Sequence, residues 1–226
     1  MKRASSIEAL LRKSQTLFAD LKRAYDASLH DKQVREDLKV DIKNIFENLR
    51  SCLDYLAHDI FETHCPSTKS SERLYFPIRF TADEFNQALN RGYPGLRKKS
   101  IVVCNILESI QPYRDPWLGQ FNRLNNDNKH QDLVEQTRTV SRQVTVSRDG
   151  GSVTWGPGVT FGGQVSVMGV PIDPRTQIPV PNNLAQTQVI MWVDFRFKDN
   201  GMSVLPFIGT SLKNVEKVFR ELQPHI

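Results

Sequence analysis

Apolar residues recur along the first sixty positions at three- and four-residue steps. Ile7, Leu10, Leu11, Leu17, Phe18, Leu21 and Tyr25 share one helical face. A second stripe runs Leu38, Ile42, Ile45, Leu49, Cys52, Leu53, Leu56 and Ile60, behind Asp31 as its cap. It predicts a helix to about Thr63, roughly 50 Å long at ~1.5 Å per residue. Pro66 and the Ser/Thr cluster from Ser67 to Ser71 end it. A helix of that length needs partners along its length, and an antiparallel bundle supplies them. Thr81-Ala82-Asp83-Glu84 is a capping box opening a short helix through Leu89, which Gly92, Pro94 and Gly95 break. Ile101 to Ile110 and Trp117 to about Val134 predict two further helices, the second opened by Pro116.

Beyond Arg138 the period changes to two. Val140, Val144 and Val146 point one way, as do Val153 with Trp155, Val159 with Phe161, and Val165 with Val167. Val189, Met191, Val193, Phe195 and Phe197 form the clearest strand. Asp149-Gly150-Gly151 and Asp199-Asn200-Gly201 read as tight turns, with Met202 to Ile208 returning as a strand after the second. Pro171, Pro174, Pro179 and Pro181 mark residues 170–181 as an extended loop. Thr210 or Ser211 caps a last helix bearing Leu212, Val215, Phe219 and Leu222. The expected fold is α+β: an N-terminal antiparallel helical bundle over residues 1–137, then an antiparallel β-sheet region with a closing helix over 138–226.

Composition narrows the function without naming it. The 226 residues carry 39% hydrophobic and 24% charged side chains, which is globular and excludes disordered or low-complexity chains. The net charge of +5 is spread thinly, with 21 basic against 19 acidic residues up to Thr137 and 9 against 6 after it. Neither half binds nucleic acid through bulk charge. Only the loop from Arg91 to Lys99, with Tyr93 inside it, is locally basic. Cys52, Cys65 and Cys104 have no paired spacing, so they predict neither a disulfide framework nor a zinc ribbon, and Cys52 and Cys104 read as core residues. The chain begins on an amphipathic pattern, and no apolar run approaches the ~20 residues of a membrane span, so a cytoplasmic protein without membrane attachment is expected.

No phosphate loop, dinucleotide fingerprint, zinc-helix motif or nucleophile elbow is present, and no cofactor is expected. Two polar clusters remain. Arg50, Asp54 and His58 form an i, i+4, i+8 line on the second helix, with Arg50 and Asn48 flanking its apolar arc. Asn125-Asn126-Asp127-Asn128-Lys129-His130 is the other. Asn125 and Asn128 share a side with Trp117, Phe121 and Leu124, so they require polar partners, and Arg50 and Asn48 are the expected ones. A straight helix carries His130 outward; distortion by four successive Asn/Asp residues swings Lys129 and His130 inward.

Asn48-Leu49-Arg50-Ser51-Cys52-Leu53-Asp54-Tyr55-Leu56-Ala57, Phe76-Pro77-Ile78, Ile110-Gln111-Pro112-Tyr113 and Asn128-Lys129-His130 together resemble a group of uncharacterised bacterial helical-hairpin proteins. Those proteins carry NLRSALDHLA, FPI, IQPY and DKHR in this order. The likeness covers roughly residues 40–135 and differs at Tyr55, Asn128 and Gln131, where the group has His, Asp and Arg. Their layout is similar to the HEPN superfamily, in which an Arg and a downstream His on a helix cleave RNA without metal, usually across a dimer. Arg123 and His130 have a HEPN-like separation, with Leu124 where a polar residue normally follows the Arg.

The resemblance implies a metal-independent endoribonuclease with RNA and a second copy of the chain as partners. His130 would act as acid and base, Arg50 and Lys129 would steady phosphate charge, and Asp54 would orient a base. Asn48, Asn125 and Asn128 would support them. A non-catalytic interaction or sensor module, its polar residues structural, is the alternative. A metal-binding bundle using Asp54, His58, Asp127 and His130 is a third reading. Convergence of Arg50, Asp54 and His130 in an open cleft favours an enzyme; closure of the same residues in a core does not.

Overall fold

The computed structural model describes residues 1–27, 36–65, 74–130, 136–156, 158–197 and 201–226. It is an α+β fold with helices first, antiparallel strands in two small sheets, and a C-terminal helix. The expected cap Asp31, the stop at Pro66 to Ser71 and the helix end at Val134 lie outside the described residues.

Two long helices form the frame: α1 (Ala4–Ala27) and α2 (Glu36–His64). Every residue of the predicted α2 stripe is buried, and Phe46, Ala57 and Phe61 widen it. At roughly 1.5–3 kcal/mol per fully buried large side chain, this face dominates the stability of the helical part. It packs against α1, α6 (Trp117–His130) and α7 (Val204–Leu222). Phe46 stands edge-on to Phe121 at 5.7 Å between centroids, with Phe197 and Phe207 beside it. Cys52, Cys65 and Cys104 are buried thiols; burial pushes the Cys52 thiol up to about 12.

Between the long helices and α6 lie α3 (Ala82–Gly92), α4 (Leu96–Lys99) and α5 (Ile101–Ser109). The capping box forms: Thr81 Oγ1 accepts from the Glu84 amide at 3.2 Å, while the Glu84 carboxylate reaches back to the Phe80 amide. Asp59, on α2, is a buried carboxylate that caps α1. It accepts from the Arg3 amide at 2.9 Å and from Arg3 Nη1 at 2.6 Å, at the end where a helix dipole favours negative charge.

Two compact units emerge, residues 1–136 with 197–226, and residues 137–196. The closing helix therefore belongs with the other helices. It starts earlier than expected: Ser203, not Thr210 or Ser211, is its N-cap, and Met202 to Ile208 do not return as a strand. At the end of β6 (Gln186–Phe197) the Phe197 amide donates to the Met202 carbonyl at 2.9 Å and the Gly201 amide donates to the Phe197 carbonyl at 2.8 Å; residues 198–200 lie outside the described residues. Helical burial of Val204, Phe207, Ile208, Ser211 and Leu212 then takes over. Pro206 is tolerated there because first-turn amides have no helical acceptor.

The second unit holds β1 (Gln136–Arg148) and β2 (Gly151–Trp155), then β3 (Val165–Val167), β4 (Val170–Asp173) and β5 (Ile178–Pro179). Strand orders are β2-β1-β6 and β3-β4-β5. The Asp149-Gly150 turn joins β1 and β2 as a two-residue hairpin with φ of 49° and 81°, the left-handed pair such a turn requires. Val144, Val146, Trp155, Val170 and Ile172 make its core. Val153, paired with Val146, is 42% exposed, because β2 is an edge strand.

The proline-rich stretch is a correction: residues 170–181 contain two strands. Pro171 keeps its carbonyl in the ladder, accepting from the Val180 amide at 2.9 Å, and the Val180 carbonyl it has no N–H for takes Asn182 Nδ2 instead. Pro179 pairs with Ile172 in the next, non-hydrogen-bonded position, so its nitrogen faces the open edge. Val159 and Phe161 form no strand. The Gln177 side chain serves Phe161 in place of one, bonding both its amide (2.6 Å) and its carbonyl (3.1 Å).

Candidate functional site

The helical unit contains a cleft of about 630 Å³, walled by α2, the extended segment 74–79, α3 and α6. Arg50 and Asp54 both line it, one turn apart on α2. Arg50 Nε donates to Asp54 Oδ2 at 3.2 Å and Nη2 lies 3.1 Å from Oδ1, a two-pronged pair with side chains only 12% and 22% exposed. Arg50 Nη1 reaches across to Asn122 Oδ1 at 3.1 Å. The guanidinium is thus held from two helices with an edge toward the cleft.

Asp54 does more than pair. Its Oδ1 also accepts from the Phe76 amide at 2.9 Å. Gln111, fully buried after α5, holds the next stretch: Nε2 donates to the Pro77 carbonyl at 2.9 Å and Oε1 accepts from the Arg79 amide at 2.9 Å. Tyr93 Oη donates to the Tyr75 carbonyl at 3.2 Å. Burial first, and the Asp54 charge second, push the Tyr93 phenol up, so it remains a neutral donor. Among the described residues segment 74–80 has no strand beside it, and side chains supply the bonds a strand would. Its apolar residues Leu74, Phe76, Pro77 and Ile78 turn in, and Tyr75, Arg79 and Phe80 are exposed. The Asn48–Ala57, Phe76–Ile78 and Ile110–Tyr113 segments singled out in the sequence therefore meet here as hydrogen-bond partners.

No family model, curated protein or solved structure matches the chain. Function rests on the site itself.

Of the expected site residues, the structure joins Arg50 to Asp54 and brings both to the cleft. Asn48 is half-buried on α2 and is not among the lining residues. Asn125 is buried, and its Oδ1 has no partner among the described residues. It does not meet Arg50 as expected; Asn122 does, because Asn125 lies on the buried row with Phe121 and Leu124. The side chains of Asp127, Asn128, Lys129 and His130 lie outside the described residues, although the α6 backbone runs to His130. Asn122 and Asn126 both line the cleft.

For the metal reading, no group of three or more His, Cys, Asp or Glu residues is placed to hold an ion among the described residues. The basic loop also changes character. Tyr93 is buried rather than interleaved with the charges, Arg97 donates to Asn86 Oδ1, and of the loop's basic residues Arg91 lines the cleft. Sequence reasoning missed Asn122, Arg79 and Tyr75.

Proposed function

We propose that the cleft binds RNA phosphates and that the helical unit is a HEPN-like, metal-independent endoribonuclease. The observation that carries the reading is Arg50, fixed by Asp54 and Asn122 in the lining of an open cleft that Arg79 and Arg91 also line. A prearranged guanidinium stabilises charge that builds on a phosphate without reorganising during the reaction. Its role differs from the one expected for Asp54, whose oxygens orient Arg50 and hold Phe76 and so leave it poorly disposed as a partner for a base. Proton transfer falls to His130, whose ordinary pKa near ~6.5 suits both removal of the 2′-hydroxyl proton and protonation of the leaving 5′-oxygen. Lys129 adds positive charge, and Asn128 supports the same turn. Both assignments, with a second copy of the chain as partner, come from the resemblance.

A second reading is favoured by the same bonds. Asp54 and Gln111 both hold segment 74–80, which makes their role architectural, and the cleft then serves a binding or sensor module without turnover. Labelled RNA incubated with the purified chain in chelator separates the two. The nuclease reading expects cleavage that His130→Ala lowers by about 10²–10⁴-fold with RNA affinity and melting temperature unchanged. Binding without cleavage leaves the module. Cleavage indifferent to both His130→Ala and Arg50→Ala removes the cleft from the chemistry.

A further inference from the structure

Tyr75 is 59% exposed, yet its backbone is among the most firmly held outside the helices. Its carbonyl accepts from Tyr93 Oη, and the following amide donates to Asp54. Leu74 and Phe76 on either side are buried, which fixes the direction from which the ring leaves the wall. Single exposed apolar residues are ordinary on protein surfaces, but this one lines the cleft beside Arg79 and Arg91. None of the ring–ring or cation–ring contacts of the described residues involves it. The ring face is open to a ligand.

We infer that Tyr75 is a stacking platform for an unpaired nucleobase, so that the cleft takes single-stranded rather than duplex RNA. This rests on the reading of the cleft as a phosphate-binding site and adds its selectivity. An aromatic ring accepts any base, because every base has a π-face, and the arginines that line the same cleft would hold the phosphate backbone. A base within a duplex has its faces covered by its neighbours and offers none to the ring. The cleft volume of about 630 Å³ falls within the roughly 300–1,000 Å³ of small-ligand sites, enough for one splayed nucleotide. Preorganisation of the wall removes the ordering cost that a flexible loop incurs on binding.

The test uses the full chain and three fluorescent probes built on 2′-O-methyl ribose, which blocks in-line cleavage. They are a single-stranded oligonucleotide, its abasic counterpart and the corresponding duplex. Anisotropy titrations are expected to rank the single strand above both others. Tyr75→Ala should weaken the single strand by about tenfold and leave the abasic strand unchanged, and Tyr75→Phe should bind as the wild type does. If Tyr75→Ala leaves single-strand affinity unchanged, or weakens the abasic strand equally, stacking is overturned while the phosphate site stands. If the wild type binds none of the three probes, the phosphate-binding reading falls and stacking falls with it.

Discussion

Asp54 concentrates more of the site than any other residue. One carboxylate orients Arg50 and fixes the Phe76 amide, and both bonds lie in a poorly solvated place. Removing it leaves a guanidinium without its counter-charge and an amide without an acceptor. Breaking a buried pair by deleting one partner costs ~3–5 kcal/mol, and partial exposure here lowers that to about 2–3 kcal/mol. Urea denaturation of Asp54→Ala should show that loss, with a smaller one for Asp54→Asn, which retains an acceptor for Phe76. An Asp54→Ala variant as stable as the wild type would mean that neither bond matters to the fold. At this scale the sequence was partly legible. Arg50 and Asp54 are four apart on a helix, so their pairing follows from helical geometry alone. Asn122 is 72 positions from Arg50, and Asp59 is 56 from Arg3. No local pattern encodes such meetings, and both escaped the reading.

Among the elements, the helices were legible because burial repeats at their own period, and α2 fits that pattern along its whole described length. Misreadings arose where a local signal was real but a neighbour altered its result. The turn expected at Asp199-Asn200-Gly201 falls mostly on residues outside those described, and the residues from Val204 onward find burial as a helix instead of a strand. The prolines 171 and 179 did lack donors, but one sits where an asparagine side chain serves the abandoned carbonyl and the other faces an edge. Helix α6 offers a measurable case of element packing. A Cβ at Gly119 would stand 3.0 Å from the Phe80 ring and 3.1 Å from Pro112, so the helix lies against both only because that position has no side chain. Gly119→Val should therefore cost about 1–3 kcal/mol through overpacking, read as a lower melting temperature. A rise would mean that Phe80, which is largely exposed, moves aside freely.

For the whole molecule, the division at residue 137 shows why a period change along a chain is an incomplete guide to its units. The strands were legible as a group, but the last helix follows them in sequence and packs on α1 and α2. The helical unit also carries an acid-sensitive fastening at its start. Arg3 and Lys2 hold the Glu62 carboxyl well below its ordinary value of 4.5, at about 2, with the Arg3 hydrogen bond the larger cause. A depressed carboxyl contributes stability that is complete above its unfolded value and fades as pH falls from about 4.5 toward about 2. Asp41 works the other way, since burial and neighbouring Asp37 raise it, and comparison with Glu62→Gln cancels its share. Thermal melts should show Glu62→Gln less stable than the wild type at neutral pH, with the gap closing toward pH 2. A gap that persists in acid would assign the effect to packing instead of charge.

The pinned segment 74–80 also bears on the order in which the protein folds. A β-hairpin can form alone and wait for its partners, but this wall has no local structure to form. Its geometry is dictated by Asp54 from α2, Tyr93 from the end of α3 and Gln111 from beyond α5. It takes shape only once all three are in place, after the loops between them have closed. The cleft accordingly depends on the docking of all three, and a chain with every helix formed but any one of these undocked would lack the wall.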